Sequence, residues 1–182
     1  TKGRGLPVTC EVTPHHLLLT HEAVLGYDTA CKVNPPLREP EDLEALHAAL
    51  LDGTIDAIAT DHAPHSPLEK DCEFSEAAPG MIGLELCFGL LRPLFGERHV
   101  GRLVEAMSTR PARILGLEPP TLREGARAEV TLVAPDESFS AQERKLESKS
   151  HNTPFLNRQL TGRVLVTIAN GRLVYDALGG TP

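Results

Sequence analysis

In the first part of the chain two kinds of segment follow one another, and each has its own pattern of hydrophobic and polar positions. Residues 6–13 (LPVTCEVT) and 55–60 (IDAIAT) are short, apolar and rich in β-branched side chains, and a polar loop follows each of them. Such segments predict buried strands. Residues 39–53 have helical spacing instead, with Pro40 at a favoured first position and Gly53 at a favoured end. Strands that alternate with helices predict an α/β fold with a parallel sheet.

The second part of the chain begins with helical spacing and changes to extended segments after Pro119-Pro120. Apolar residues recur with a helical period over 83–94 and 100–115. The pair Asn170-Gly171 is typical of a two-residue hairpin turn. The runs rich in β-branched or alternating apolar residues are 130–134, 163–169 and 172–175.

These patterns divide the chain into two predicted domains. Residues 1–118 form the α/β part, and residues 119–182 form a segment of a small β domain. The polar residues 136–159 are predicted to be a long irregular connection within the second domain.

Composition and charge narrow the class of partner. Of the 182 residues, 41% are hydrophobic and 24% are charged, as in an ordinary soluble globular protein. The net charge of -7, without a basic stripe, argues against nucleic acid or an anionic membrane as a partner. No apolar run approaches the roughly 18 residues of a membrane span. The four cysteines lack a CxxC pair and predict reduced thiols in the cytoplasm. A small molecule is therefore the expected partner.

Chemically active side chains follow the second predicted strand directly. The stretch Thr60 to His65 reads TDHAPH and contains one carboxylate, Asp61, and two imidazoles, those of His62 and His65. In parallel α/β folds, sites are built at the carboxyl ends of the strands. An aspartate there can ligate a metal and exchange a proton. The alternative is an ordinary loop that caps helices, and the spacing by itself specifies no reaction.

The TDHAPH stretch resembles the sequence that closes the metal site in dihydroorotases of the amidohydrolase superfamily. His65 favours dihydroorotase over the related hydantoinases and allantoinases, whose motif tends to lack this final histidine. Further segments resemble the family in the same order and together touch nearly the whole chain. They are EVTPHHLLLT (11–20), KVNPPLR (32–38), PGMIGLE (79–85), SKSHNTPF (148–155) and TGRVLVTIANGRLVY (161–175).

The resemblance implies a fold and a set of site residues. The implied fold is the C-terminal portion of a metal-dependent (β/α)8 TIM barrel with a small β-sandwich-like domain. Asp61 would be a ligand of one or two zinc ions and would act as general base and then general acid. Asn34 and His65 would hold the polar groups of dihydroorotate. The backbone at Pro79 and Gly80 would hydrogen-bond the cyclic amide.

The implied reaction is the reversible interconversion of N-carbamoyl-L-aspartate and (S)-dihydroorotate in pyrimidine (UMP) biosynthesis. The chain contains no HxH motif, and the resemblance implies that the family's other metal ligands would lie upstream of residue 1. It also starts without Met, so we expect a chain that begins in mid-protein and is inactive without the missing N-terminal half.

Two alternatives remain at this stage. One is a hydantoinase- or allantoinase-type enzyme that hydrolyses another cyclic ureide. The other is a non-catalytic, dihydroorotase-like scaffold partner of aspartate carbamoyltransferase. A homo-oligomer is a further expected assembly.

Other polar residues have less definite roles. His15 and His16 look like a metal pair, but the family's metal-binding histidines lie elsewhere, so we interpret them as pocket-edge or structural groups. His62 is interpreted as a group that orients its neighbours. Lys32 and Arg38 either attract a dicarboxylate or are solvated charges at the rim.

Overall fold

The computed structural model describes residues 2–143 and 146–179, which fall into two compact units. One unit contains the residues up to Cys87 together with Ser140–Arg158, and the other contains Phe88–Phe139 together with the residues from Gln159 onward. In this chain the helices after residue 87 therefore belong to the same unit as the strands near the C-terminus. The domain boundary at 118/119 stays a prediction for the complete protein.

Short parallel strands and connecting helices make up the first unit. Strand β1 (Glu11–Val12) pairs in parallel with β2 (Ala57–Ile58). A parallel bridge between His62 and Met81 adds a further extended segment. Helix α2 (Pro40–Leu51) connects β1 to β2. This arrangement confirms the α/β class, while the complete barrel remains a prediction.

The first strand is much shorter than the apolar run 6–13 that predicted it. Leu6 and Val8 are 51% and 43% exposed, and Val12 alone is buried in this run. Backbone pairing to the facing segment begins at Cys10, whose carbonyl accepts the N–H of Asp56 at 2.9 Å. The prediction of a buried strand over the whole run is therefore wrong for its first half. β-branched composition favours extended backbone, but burial requires a facing partner.

The helices of the first unit have the expected end signals. In α1 (Pro14–Leu18), the hydroxyl of Thr13 accepts the backbone N–H of His16 at 3.3 Å. Pro40 is the first residue of α2, as predicted, and Gly53 follows the helix with a φ of +86°. The remaining helical segments of this unit are α3 (Pro67–Lys70) and the 3₁₀ turns Lys2–Arg4, His21–Val24, Thr29–Cys31 and Ala141–Glu143.

Apolar side chains from these elements form the core of the first unit. Leu17 of α1 and Leu50 of α2 are each 1% exposed. Burial of such side chains stabilises the unit by about 1.5–3 kcal/mol each. Other buried apolar residues of the unit are Ile55, Ile58, Met81, Ile82, Leu86 and Phe155.

The helices of the second unit lie where helical spacing predicted them. They are α4 (Cys87–Phe95), α5 (Val100–Val104) and α6 (Arg110–Ile114). A π-helical turn, Glu105–Thr109, joins α5 to α6 without a break. Gly116, with a φ of +69°, ends the helical stretch.

A three-stranded sheet in the order β3-β4-β5 completes the second unit. Strands β4 (Gln159–Ala169) and β5 (Arg172–Asp176) are antiparallel. Asn170 and Gly171 between them have φ values of +52° and +73°, as a type I′ turn requires, so the predicted hairpin is confirmed.

Strand β3 (Val130–Ser140) is longer than the predicted run 130–134. It extends into the segment 136–159, which was predicted to be irregular, and that prediction is wrong for residues 136–140. The reason is tertiary, because β4 supplies a neighbouring strand for this polar segment. The sandwich-like domain implied by the resemblance remains a prediction. Among the described residues, no helix has the length and apolarity needed to cross a membrane.

Candidate active site

Asp61 follows β2 in a strained backbone conformation. Its φ is +48°, a left-handed value that is uncommon for a residue other than glycine. Its side chain is exposed, and within residues 2–143 and 146–179 its carboxylate makes no hydrogen bond or ion pair. Strained backbone of this kind clusters at functional sites. The strand end thus presents a carboxylate that no residue in the described part of the chain neutralises.

An open depression of about 470 Å³ brings Asp61 and Asn34 together. Its other lining residues come from β1 and the segment after it, from the loop after Asn34 and from α2. Glu11, His16 and Arg38 are among them. The depression therefore contains two of the residues that the sequence predicted for the site.

The two histidines after β1, His15 and His16, lie in different environments. The ring of His16 has Nδ1 2.6 Å from the hydroxyl oxygen of Thr13 and Nε2 3.1 Å from the carbonyl oxygen of Pro35. His15 is 2% exposed, and its Nε2 has no hydrogen-bond partner among the described residues. Burial, assisted by the neighbouring His16, lowers the pKa of His15 from 6.5 to about 4. His15 is therefore a neutral, buried imidazole, and His16 lies at the pocket edge.

His65, Pro79 and Gly80 form a second group. The Nε2 atom of His65 is 3.1 Å from the carbonyl oxygen of Pro79. Gly80 has a φ of +133°, and a Cβ there would lie 2.6 Å from the Cβ of Ala63 and 3.0 Å from Nε2 of His65. Only glycine fits at this position. This group does not line the depression shared by Asp61 and Asn34.

The backbone groups of Gly80 make internal hydrogen bonds. Its N–H donates to the carbonyl of Lys32 at 2.8 Å. Its carbonyl accepts from Nζ of Lys70 at 3.0 Å and from Nδ2 of Asn152 at 3.1 Å. Pro79 has no N–H, and its carbonyl retains one acceptor position besides the one that faces His65. To hydrogen-bond this segment, a cyclic amide would have to donate to the remaining acceptor position of the Pro79 carbonyl or replace one of the internal hydrogen bonds of Gly80.

Two lysines hold the loop that ends at Gly80. Lys70 is 8% exposed and donates to the carbonyls of Ala78 and Gly80 at 2.8 and 3.0 Å. Burial, followed by the charge of Lys32, lowers the pKa of Lys70. Lys32 itself donates to the carbonyls of Phe74 and Ser75 at 2.7 and 2.9 Å. Lys32 therefore supports this loop.

Arg38 has a different environment from Lys32. Its guanidinium pairs with Asp42 at 3.1 Å, and its side chain is 62% exposed. It lines the depression of Asp61 and Asn34. Arg38 is thus the basic side chain at the rim of that depression.

Asn152 is a site residue to which sequence reasoning gave no role. Its Nδ2 donates to the carbonyls of Ala63 and Gly80 at 2.9 and 3.1 Å, and its Oδ1 accepts the N–H of His65 at 3.1 Å. It lies in SKSHNTPF, one of the segments that carried the resemblance, and that was the available signal. Its side chain joins the loop after β2 to the segment at Gly80.

Glu85 and His62 make similar supporting contacts. The carboxylate of Glu85 accepts the backbone N–H groups of Glu147 and Ser148, each at 2.9 Å. Nδ1 of His62 accepts those of Gly83 and Leu84 at 3.1 and 3.3 Å. Both side chains therefore orient backbone next to the site.

The residues of this chain fit a metal ion only in part. Among the described residues no hydrogen bond or ion pair engages the Asp61 carboxylate at the strand end, so it is available as a metal ligand. Across the described part of the chain, however, no group of three or more His, Cys, Asp or Glu side chains is placed to hold a metal. Catalytic zinc sites normally use about three protein ligands. Asp61 can thus contribute one ligand to a site completed by other residues.

Comparison with known proteins shows which curated proteins the chain is similar to. No family model matches the chain. The chain is 51% identical over 178 residues to a dihydroorotase from Geobacter sp. (strain M21), covering 97% of this chain and 42% of that protein. It is also 51% identical over 181 residues to a dihydroorotase from Anaeromyxobacter dehalogenans (strain 2CP-1), covering 96% of this chain and 41% of the relative.

Solved structures agree at the level of the fold. A D-hydantoinase (dihydropyrimidinase) from Thermus sp. matches with a TM-score of 0.83 and 25% identity. An L-hydantoinase (dihydropyrimidinase) from Arthrobacter aurescens matches with a TM-score of 0.81 and 28% identity. In both cases 96% of this chain and 41% of the solved chain are covered. Over nearly its whole length, this chain is therefore a homologue of the C-terminal part of the dihydroorotases and spans about two fifths of their length.

Proposed function

We propose that this chain is the C-terminal part of a dihydroorotase, which interconverts N-carbamoyl-L-aspartate and (S)-dihydroorotate in pyrimidine synthesis. The observation that carries the proposal is the 51% identity over 178 residues with a protein of that name. The remaining part of the barrel, with its metal ligands, would come from residues that the relatives have before the matched region.

Asp61 would provide the acid–base chemistry. Its carboxylate is exposed and unpaired among the described residues, so it is available to hold a metal ion and to accept a proton. Zinc, when bound, would polarise the amide carbonyl and make water more acidic. In hydrolysis, Asp61 would accept a proton from water and return it to the leaving nitrogen. Its left-handed backbone supports this role because strained conformations of this kind cluster at functional sites.

The other proposed residues would bind the substrate. Asn34 lines the same depression as Asp61, and its amide offers both donors and an acceptor to a ring that carries N–H and C=O groups. His65 would face the ligand carboxylate. Pro79 and Gly80 would border the cyclic amide, with the Pro79 carbonyl offering its second acceptor position.

A hydantoinase-type activity is the second candidate. It is favoured by the fold similarity to two hydantoinases, with TM-scores of 0.83 and 0.81. Identity to those structures is 25% and 28%, against 51% to a protein named dihydroorotase, so we rank it below dihydroorotase. Steady-state kinetics of the complete zinc-loaded protein on dihydroorotate, hydantoin and allantoin distinguishes the two. We expect the highest kcat/KM for dihydroorotate, and a higher value for hydantoin or allantoin would reject this assignment.

The proposed partners and location follow from this function. The substrate is a small molecule, and we propose a cytoplasmic enzyme without a nucleic-acid or membrane partner. A homo-oligomer and a complex with aspartate carbamoyltransferase are the proposed assemblies. In the complex with aspartate carbamoyltransferase, the alternative to an enzyme is a non-catalytic scaffold. It predicts that the complete protein binds no zinc and converts no dihydroorotate.

A further inference from the structure

The side chain of Asn152 links two segments that lie far apart in sequence. Its Nδ2 donates to the carbonyls of Ala63 and Gly80, and its Oδ1 accepts the N–H of His65. Its backbone carbonyl also accepts the N–H of Ile82 at 3.1 Å. One residue thus binds the backbone of both the loop after β2 and the segment at Gly80.

Every hydrogen-bonding group of this side chain is used. Its two N–H donors point to two carbonyls, and its oxygen accepts from His65. The hydroxyl oxygen of Ser150 lies 2.5 Å from both Oδ1 of Asn152 and the carbonyl oxygen of His65, and it can donate to one of them at a time. An aspartate would keep the acceptor for His65 but would place an oxygen against two carbonyl oxygens.

The segment that carries Asn152 is also anchored by contacts beyond those with His65 and Gly80. Glu85 accepts the N–H groups of Glu147 and Ser148 on one side. On the other side, Thr153 and Phe155 are buried, with 6% and 1% exposure. Besides the contact of Ser150 with the carbonyl of His65, the position of Asn152 is therefore held by contacts that involve neither His65 nor Gly80.

We propose that Asn152 is a positioning residue that sets the place of His65 against Gly80, two of the proposed substrate-binding residues. This inference rests on the proposed function, in which these two residues contact dihydroorotate. Asn152 touches neither Asp61 nor Asn34 in any described contact. Its loss is therefore expected to weaken substrate binding more than the proton transfers.

The test compares Asn152→Asp with His151→Ala in the complete zinc-loaded protein. His151 is the adjacent residue, and its side chain is exposed. For Asn152→Asp we expect KM for dihydroorotate to rise about tenfold or more while kcat changes less than about threefold, because a misplaced binding group weakens the ground state and the transition state alike. His151→Ala is expected to keep both constants. If Asn152→Asp does not fold, Asn152→Ser replaces it, since a hydroxyl keeps one of the hydrogen bonds.

Amide hydrogen exchange provides a readout that does not depend on activity. In Asn152→Ala, which removes the acceptor of the His65 N–H, the amide of His65 is expected to exchange at least about tenfold faster, while that of Ala59, bonded to the carbonyl of Val12, keeps its rate. Unchanged KM, or a fall in kcat alone, would overturn the inference. If the complete protein converts no dihydroorotate, the proposed function fails, and unchanged exchange at His65 would then overturn the inference separately.

Discussion

The Nδ1 atom of His62 lies 3.1 Å from the backbone nitrogen of Gly83 and accepts its N–H. This histidine stands next to the proposed catalytic Asp61, yet its ring is turned to support the following segment of the chain. A Cβ on Gly83 would meet the carbonyl oxygen of Thr60 at 2.8 Å, so the two segments approach as closely as glycine permits. Adjacent residues of one motif thus have different tasks: Asp61 is left exposed, and His62 holds the backbone.

Replacement of His62 by alanine is expected to destabilise the protein. Two backbone N–H groups, those of Gly83 and Leu84, would lose their acceptor. We expect the free energy of unfolding to fall by about 1–3 kcal/mol, the cost of leaving the part-buried N–H of Gly83 unpaired. Urea denaturation measures this change, and His151→Ala, at an exposed position, is the control. Equal midpoints for the two variants would show that the His62 contacts contribute nothing to stability.

Gly80→Ala is expected to be more harmful than Gly26→Ala. At Gly80 the φ of +133° and a Cβ distance of 2.6 Å to Ala63 both oppose a side chain, whereas nothing lies within 4 Å of a Cβ at Gly26. Backbone strain of this kind costs on the order of 1–3 kcal/mol. Thermal unfolding of both variants tests the difference. Similar melting temperatures would contradict the close approach of His65 to Gly80.

The buried His15 predicts a loss of stability in mild acid. Burial and the neighbouring His16 lower its pKa from 6.5 to about 4, so between these values the unfolded chain binds a proton that the folded chain does not. The contribution of His15 is complete above about pH 6.5 and is lost as the pH falls towards 4, with a total of about 3 kcal/mol.

Unfolding free energies measured from pH 4 to pH 7 for the native protein and for His15→Leu test this expectation. The variant cannot titrate at this position, so its stability should depend less steeply on pH. His99→Ala, which removes an exposed histidine, should retain the native slope. Parallel curves for the native protein and His15→Leu would show that the imidazole is not buried in its neutral form.

Asp61→Asn is expected to reduce the chemical step of the complete enzyme. The amide of asparagine cannot accept the proton that the carboxylate would take, so we expect kcat for dihydroorotate to fall at least about 100-fold, in line with the usual contribution of a general base. Asp71→Asn removes the same charge from an exposed position and is the control. An Asp61→Asn enzyme with native kcat would exclude Asp61 as the base.

The sequence predicted those parts of the fold that depend on local signals. Pro40 and Gly53 marked helix α2, and Asn170-Gly171 marked the hairpin, because their backbone preferences act within a few residues. The run 6–13 was predicted incorrectly because its burial depends on a facing segment more than 40 residues away. Propensity alone does not contain that information.

The candidate site likewise contains residues that the sequence revealed and residues that it did not. Asp61 could be found because a polar motif directly follows an apolar strand signal. The roles of Asn152 and Lys70 could not, because their partners at Gly80 are 72 and 10 residues away and are backbone carbonyls, which leave no trace in side-chain patterns. The internal pairing of the Gly80 backbone was hidden for the same reason.

The central claim is that this chain completes a metal-dependent dihydroorotase, and its most direct test is the conversion of dihydroorotate to N-carbamoyl-L-aspartate by the complete protein. The measurement is made on one preparation with zinc, after removal of zinc by a chelator, and after zinc is added back. We predict turnover that is lost without zinc and restored with it. A folded, zinc-loaded complete protein that leaves dihydroorotate unchanged would contradict it.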